Sequence, residues 1–161
     1  MPLPSDFAVE CLYTSEAWYV HDLIEVNAER IVAVTDTTRL GHLVDAQRVW
    51  PGHPKHLPGA AVIQITGVLG QLHAIYGLNL RPTDGWVGFG THVHGCKFAS
   101  LGEIGPPVEL VGEITRSRTI RGTVFTDYTF SFSQEGRSVY TSTQTAGWRR
   151  SDHRGPLEPS A

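Results

Sequence analysis

Two histidines and a glutamine lie close together between residues 53 and 64 of this 161-residue chain. The ring of a histidine can accept or donate a proton near neutral pH, so His53 or His56 can act as a base. Gln64 does not titrate, but its amide can donate a hydrogen bond or hold a water. The three side chains therefore offer proton transfer at one position and hydrogen bonding at another.

A helix start is expected between these side chains, at the Pro58-Gly59 pair. The first N–H groups of a helix have no partner within the helix and carry partial positive charge, so they bind oxygen atoms that are or become negative. We expect the N–H groups of Gly59 and Ala60 to serve this purpose. The segment thus combines a possible base with donors for an oxygen that becomes negative.

The remaining histidines and cysteines do not provide enough ligands for a metal site. His92 and His94 alternate in a predicted strand and share one face, but no third ligand is in register. Cys11 and Cys96 lack the spacing of zinc ligands and are too few for a disulfide framework. The sequence has no glycine-rich phosphate loop. We therefore predict neither a metal site nor a bound cofactor.

One long helix must position the candidate residues. The segment 53–77 is apolar on every side, which is typical of a helix surrounded by protein. Gly77 is expected to end the helix in the left-handed conformation. Gly67 and Gly70 are poor helix formers, so we expect another backbone to pack closely against them.

The remaining apolar segments predict strands, because they alternate or are rich in β-branched and aromatic residues. Two strands precede the helix and four follow it, which predicts an α+β fold, an antiparallel sheet wrapped around one long central helix. Such a sheet has exposed edges, and pairing of two copies edge to edge would cover them. The predicted strands are 18–26, 30–37, 86–100, 108–117, 123–133 and 138–147.

Length and composition limit the number of domains, the kinds of partner and the location of the protein. We predict one domain over 1–150 and a disordered tail over 151–161, with a loosely held lead-in over 1–15 and a loop over 39–50. The net charge of -3 gives no reason to expect nucleic acid or an anionic membrane as partner. No apolar run reaches the roughly 18 residues of a membrane span, and the first residues are unlike a signal peptide. We expect a cytoplasmic protein.

The order of these features resembles the hotdog fold, and within it the beta-hydroxyacyl-acyl-carrier-protein dehydratases. The likeness rests on Pro51-Gly52-His53-Pro54 followed by Pro58-Gly59. It extends to the upstream hairpin YVHDLIEVNAERIVAVTDTT and to the downstream segment HGCKFASLGEIGPPVELVGEITRSR. The turn HPKHLPG is also similar to the HPxDHxPG turn of the A-factor synthase family, another hotdog group that acts on acyl-carrier thioesters.

The resemblance implies a homodimer with shared sites, in which catalytic His53 of one subunit faces Gln64 of the other. It also implies that His56, Gly59, Ala60 and Phe98 bind an acyl thioester carried by acyl carrier protein or coenzyme A. The dehydratases have Glu or Asp at the position six after Pro58, where this chain has Gln64.

Three functions follow from the resemblance. The first is a 3-hydroxyacyl-thioester dehydratase-like lyase of fatty-acid or polyketide metabolism. The second is an acyl thioesterase, in which Gln64 helps to position water or to polarise the carbonyl. The third is a non-catalytic acyl-binding or partner subunit that has lost its acid. The amide at Gln64 counts against the lyase, but the order of motifs favours it, so the lyase is the activity that we expect and the thioesterase is the first alternative.

Overall fold

The fold is one six-stranded antiparallel sheet and one long helix, described by a computed structural model over residues 1–151. The α+β prediction is confirmed. Neighbouring strands follow the order β1-β2-β4-β5-β6-β3, so β1 and β3 are the two edges. The strands are β1 (Asp22–Val26), β2 (Arg30–Thr35), β3 (Trp86–Phe98), β4 (Val108–Ile120), β5 (Thr123–Gln134) and β6 (Arg137–Arg150). The helices are α1 (Phe7–Glu10), α2 (His42–Asp45) and α3 (Gly59–Tyr76).

The predicted strand pairs form, with some changes at their ends. The hairpin of β1 and β2 and the three consecutive strands β4, β5 and β6 are antiparallel neighbours. The first strand begins at Asp22 rather than Trp18, because Ser15–Ala17 is a 3-10 turn and Tyr19 has a φ of 53°. Gly41, with a φ of 58°, introduces α2 inside the segment predicted to be a loop.

The first residues are held firmly, which contradicts the loose lead-in expected from the sequence. Phe7 is fully buried, and its ring lies 4.8 Å from that of Trp18. The buried carboxylate of Glu10 accepts hydrogen bonds from Arg81 Nη1 at 3.0 Å and from Thr83 Oγ1 at 2.7 Å. These partners come from after α3, so a local pattern could not reveal them. Most of the predicted tail, residues 152–161, lies outside the described residues.

The central helix α3 is 18 residues long and is buried on most sides. Its core side chains, such as Ile65, Leu69 and Leu72, pack against the aromatic side chains of β5. One stripe is not buried, so the prediction of a helix covered on every side is wrong for this single chain. The stripe comprises Ala60, Ile63, Gln64, Gly67 and Gln71.

Three glycines in or directly after α3 do not play the structural roles predicted for them. A β-carbon at Gly67 or Gly70 would meet nothing within 4 Å, so no backbone packs against either residue in the chain described. Gly77 has a φ of -92° and is not left-handed. It is needed for space, because a β-carbon there would lie 2.5 Å from the carbonyl oxygen of Asn27.

Candidate functional site

An open groove of about 330 Å³ lies at the amino terminus of α3. It brings together three of the predicted site residues, His56, Gly59 and Phe98. Sequence analysis missed the apolar side chains of the groove that come from distant segments, because each one is an ordinary apolar residue in its own segment. The other lining residues are Leu57, Val62, Ser100, Leu101, Gly102 and Val139.

The helix terminus offers unoccupied hydrogen-bond donors. The cap residue Pro58 is extended, with φ -68° and ψ 140°, and no side chain caps the helix. The first helical N–H to bond is that of Val62, to the carbonyl of Pro58 at 3.1 Å. Gly59 and Ala60 are exposed, and their N–H groups make no hydrogen bond within residues 1–151. This end of α3 can therefore bind an oxygen that becomes negative.

Phe98 closes one side of this terminus. Its ring is half exposed and lies so close to Gly59 that an added β-carbon would be 3.4 Å from Cε1 of Phe98. The ring also contacts Tyr140, with centroids 5.1 Å apart. The predicted binding role of Phe98 is untested, but the side chain forms an apolar wall beside the free N–H groups.

The two histidines lie side by side before the helix. The rings of His53 and His56 have centroids 4.9 Å apart. The Nδ1 atoms of His53 and His56 lie 3.4 Å and 3.2 Å from the carbonyl oxygen of Pro54, respectively. Because a carbonyl oxygen only accepts, each Nδ1 must carry the proton. The Nε2 atom of each neutral ring is then free to accept one.

Hydrogen bonds hold the backbone of His56 in place. The side-chain amide of Gln47 receives a hydrogen bond from the N–H of His56 at 3.1 Å and donates one to its carbonyl at 2.8 Å. The N–H of Leu57 donates to the carbonyl of Gly102 at 2.8 Å. His56 is half-buried in the groove wall, whereas His53 is exposed and does not line the groove.

Gln64 lies outside the groove as well. Its side chain is half-buried on the exposed stripe of α3, and its Nε2 donates to the carbonyl of Ala17 at 3.2 Å. The single chain therefore does not bring Gln64 to His53. Their meeting across two subunits stays a prediction.

The other histidine pair belongs to the outer face of the sheet. The rings of His92 and His94 stack with centroids 5.6 Å apart, and His94 Nε2 donates to Thr145 Oγ1 at 2.7 Å. That hydroxyl donates to Asp127, which also pairs with Arg118. The Thr145 hydroxyl and then Arg118 lower the pKa of Asp127. No group of three metal-binding side chains occurs in residues 1–151.

No helix in the described part of the chain is long and apolar enough to cross a membrane. No protein-family model matches the sequence, and no curated protein matches it.

Solved structures do match the fold. Cj0977, a sigma28-regulated virulence protein from Campylobacter jejuni, aligns with a TM-score of 0.63 at 12% identity, over 91% of this chain and 94% of that one. Mouse thioesterase superfamily member 2 aligns with a TM-score of 0.56 at 10% identity, over 80% and 81% of the two chains. This protein has the hotdog fold. A hypothetical thioesterase from Streptococcus pneumoniae, solved with coenzyme A, aligns with a TM-score of 0.52 at 16% identity, over 81% and 88%.

Proposed function

We propose that this hotdog protein hydrolyses an acyl thioester carried by coenzyme A or by a carrier protein. The observation that carries the proposal is the uncapped start of α3, where Gly59, with a free N–H group, lines the same groove as His56. The thioesterase name and the coenzyme A of the structural neighbours give further support. The acyl thioester is thus the substrate class common to the proposal and to the sequence resemblance.

In the proposed reaction, the thioester carbonyl oxygen binds the N–H groups of Gly59 and Ala60. Nε2 of His56 takes a proton from a water as that water attacks the carbonyl carbon. The negative charge that develops on the oxygen is stabilised by the N–H groups and by the helix terminus. The intermediate then expels the thiolate, which takes the proton from His56, and leaves the free acid.

Hydrolysis is favoured over dehydration by the number of groove side chains that can transfer a proton. Dehydration needs a base for one proton and an acid for the leaving hydroxyl. Among the described residues that line the groove, His56 is the one with an imidazole or carboxyl group that could transfer a proton. Gln64 cannot replace an acid. One base and a set of oxyanion donors are sufficient for hydrolysis, so thioesterase activity is our first choice and the dehydratase-like lyase our second.

We also propose that the working form is a homodimer. The edge strand β3 has mostly exposed side chains and no strand on its free side within the described chain. The exposed stripe of α3 would be covered by a second copy paired along this edge. In such a dimer, the predicted contact between His53 and Gln64 of different subunits can form.

The activity test is mass spectrometry of the purified protein with saturated, enoyl and 3-hydroxyacyl thioesters of graded length. We expect release of free acid. Loss of one water with the thioester intact would instead establish the lyase. An unchanged panel with a retained acyl ligand would establish the binding-protein alternative.

Histidine variants then assign the base. We expect His56→Ala to lower kcat by about 10²-fold or more and His53→Ala to have a smaller effect. The matched control is His42→Ala, because His42 is exposed on α2 and does not line the groove. A larger loss in His53→Ala than in His56→Ala would return the role of base to His53.

A further inference from the structure

The outer face of the sheet, on the side away from α3, carries arginine and phenylalanine side chains together at one end. Thr126 and Tyr128 of β5 are buried in the core, so the alternating side chains of Phe125 and Asp127 point to the outer face. Pairing of two copies along the β3 edge would extend the sheet and leave this face open. The outer face is therefore available to a partner other than the one proposed for the edge.

The strand register brings these side chains into adjacent rows. Residues directly opposite in neighbouring strands share a face of the sheet. Phe125 of β5 lies between Arg118 of β4 and Gly147 of β6, and Gly147 lies opposite Phe89 of β3. The other arginines come from the rows on either side and from the turn after β4. We call this set the arginine patch, and it comprises Phe89, Arg116, Arg118, Arg121, Phe125 and Arg149.

Two phenylalanine rings form the apolar floor of the patch. The rings of Phe89 and Phe125 lean over Gly147 from both sides, because a β-carbon there would lie 2.9 Å from Cζ of Phe89 and 3.3 Å from Cε1 of Phe125. Phe89 is 42% exposed, and Val87 and Ile120 are exposed apolar side chains at the margin of the patch. The floor is thus an exposed apolar surface that rests on the backbone of β6.

Two of the arginines are held over these rings. The guanidinium carbon of Arg118 lies 5.6 Å from the centroid of the Phe125 ring, and that of Arg149 lies 6.0 Å from the centroid of Phe89. A guanidinium group stacked on a ring still presents its N–H groups to a carboxylate. Arg118 already pairs with Asp127 at 2.7 Å, whereas Arg149 forms no ion pair within residues 1–151. Arg149 is therefore positioned, but not occupied, as an anion ligand.

The patch is cationic although the whole chain is not. It holds four of the 13 lysine and arginine residues of a chain whose net charge is -3. The carboxylate that lies among these side chains is that of Asp127, and it is occupied by Arg118. A second copy packed patch on patch would bring arginines against arginines, which is unfavourable. The charge therefore favours an anionic partner over a second copy.

The apolar surface indicates which kind of anionic partner fits. Nucleic acid binds through phosphate contacts and through bases that stack on free ring faces, but here an arginine lies over each ring. The aliphatic side chains of Val87 and Ile120 offer no stacking surface for a base. Apolar side chains of a protein would instead remove them from water together with the rings.

We propose that the arginine patch is a docking surface for an acidic, amphipathic segment of another protein. Apolar side chains of the segment cover Phe89 and Phe125, and carboxylates beside them bind Arg149 and the exposed Arg116 and Arg121. The patch shares no residue with the groove at the start of α3, so the docking does not depend on the proposed hydrolysis.

Fluorescence anisotropy of labelled probes tests the docking on the full chain. The first probe is a synthetic helical peptide with a stripe of leucines flanked by glutamates, the second has serine for each leucine, and the third is single-stranded oligo(dT). We expect the leucine peptide to bind, at least tenfold more tightly than either of the other probes. Its affinity should fall as the salt concentration rises, because the carboxylate contacts are exposed to screening.

Variants locate the binding. Arg149→Glu should lower the affinity for the leucine peptide at least tenfold, since it replaces an attraction with a repulsion. The matched control is Arg137→Glu, which makes the same change of net charge at an exposed arginine at the other end of β6, and it should change the affinity less than twofold. Arg149→Lys keeps the charge and loses the planar group over Phe89, so we expect a smaller loss than in Arg149→Glu.

Several outcomes would overturn the proposal. Failure of the leucine peptide to bind would contradict it directly, and equal losses in Arg149→Glu and Arg137→Glu would show that only net charge matters. Tighter binding of oligo(dT) that depends on Arg149 would assign the patch to nucleic acid. A change of oligomeric state in Arg149→Glu without peptide would assign it to a second copy. If Arg149→Glu does not fold, Arg116→Glu makes the same test at another exposed position of the patch.

Discussion

Replacing Gly59 with proline should lower thioester hydrolysis by about 10²- to 10³-fold, the loss typical when one oxyanion donor is removed. The substitution removes one N–H from the start of α3 and leaves that of Ala60. No hydrogen bond within residues 1–151 uses the Gly59 N–H, so its removal costs the folded protein nothing there. The loss should appear in kcat rather than in KM, because the oxyanion forms only during the reaction.

The helix should tolerate this proline. Gly59 is the first helical residue, the position at which proline is most favoured. The preceding residue, Pro58, already has the extended ψ of 140° that a following proline requires. Circular dichroism of the variant should therefore match that of the wild type, which separates a lost donor from a lost helix.

Gly59→Ala is the matched control, because it adds a β-carbon and keeps the N–H. That carbon would lie 3.4 Å from Phe98 Cε1, an ordinary contact, so activity should stay within a few-fold of the wild type. Equal losses in both variants would assign the effect to crowding against Phe98. Full activity in Gly59→Pro would show that this N–H does not hold the thioester oxygen.

Replacing Gly77 with alanine should lower the free energy of unfolding by about 2–3 kcal/mol, the range of a tightly overpacked core position. The new β-carbon would lie 2.5 Å from the Asn27 carbonyl oxygen and 2.5 Å from His73 Cδ2. Neither group can move freely, because His73 Nε2 donates to that same oxygen at 2.7 Å. Gly77 is itself tied to His73, through a backbone hydrogen bond of 2.8 Å.

Gly70→Ala is the control for Gly77→Ala, since Gly70 is inside the same helix, outside the exposed stripe, with nothing within 4 Å of an added β-carbon. It should stabilise the protein by up to about 1 kcal/mol through helix propensity alone. Urea unfolding at equal protein concentration measures both variants. A stable Gly77→Ala would contradict the close approach, and a destabilised Gly70→Ala would show that a β-carbon in this helix is costly even without a close contact.

The sheet could be predicted from the sequence because its signals are local. Glycine-containing separators divide β4, β5 and β6, and Pro58-Gly59 marks the start of α3 at the observed residue. The exposed stripe of α3 could not be predicted in this way. Ala60, Ile63 and Gly67 count as apolar or small whether or not protein covers them, so composition cannot distinguish a covered stripe from an open one.

The candidate site was partly predictable for a related reason. The turn that carries His53 and His56 has a local pattern. Which of the two histidines lines the groove, however, depends on Gln47 and Gly102, which fix the backbone at His56 and Leu57. The cavity of about 170 Å³ beside Gly67 and Gly70 has no sequence signal at all. It exists because glycines of α3 lie opposite β3, β5 and β6 once the sheet has closed.

The position of β2 in the sheet has a kinetic consequence. Arg30 pairs with Glu113 and Thr35 pairs with Val108, although the whole of α3 and β3 lies between these partners in the chain. Closing so long a loop costs entropy before any contact forms, and folds rich in such pairings fold slowly for their stability. The meander of β4, β5 and β6 requires only short turns. We therefore expect the meander to form first and the first hairpin to dock last, completing the wall around α3.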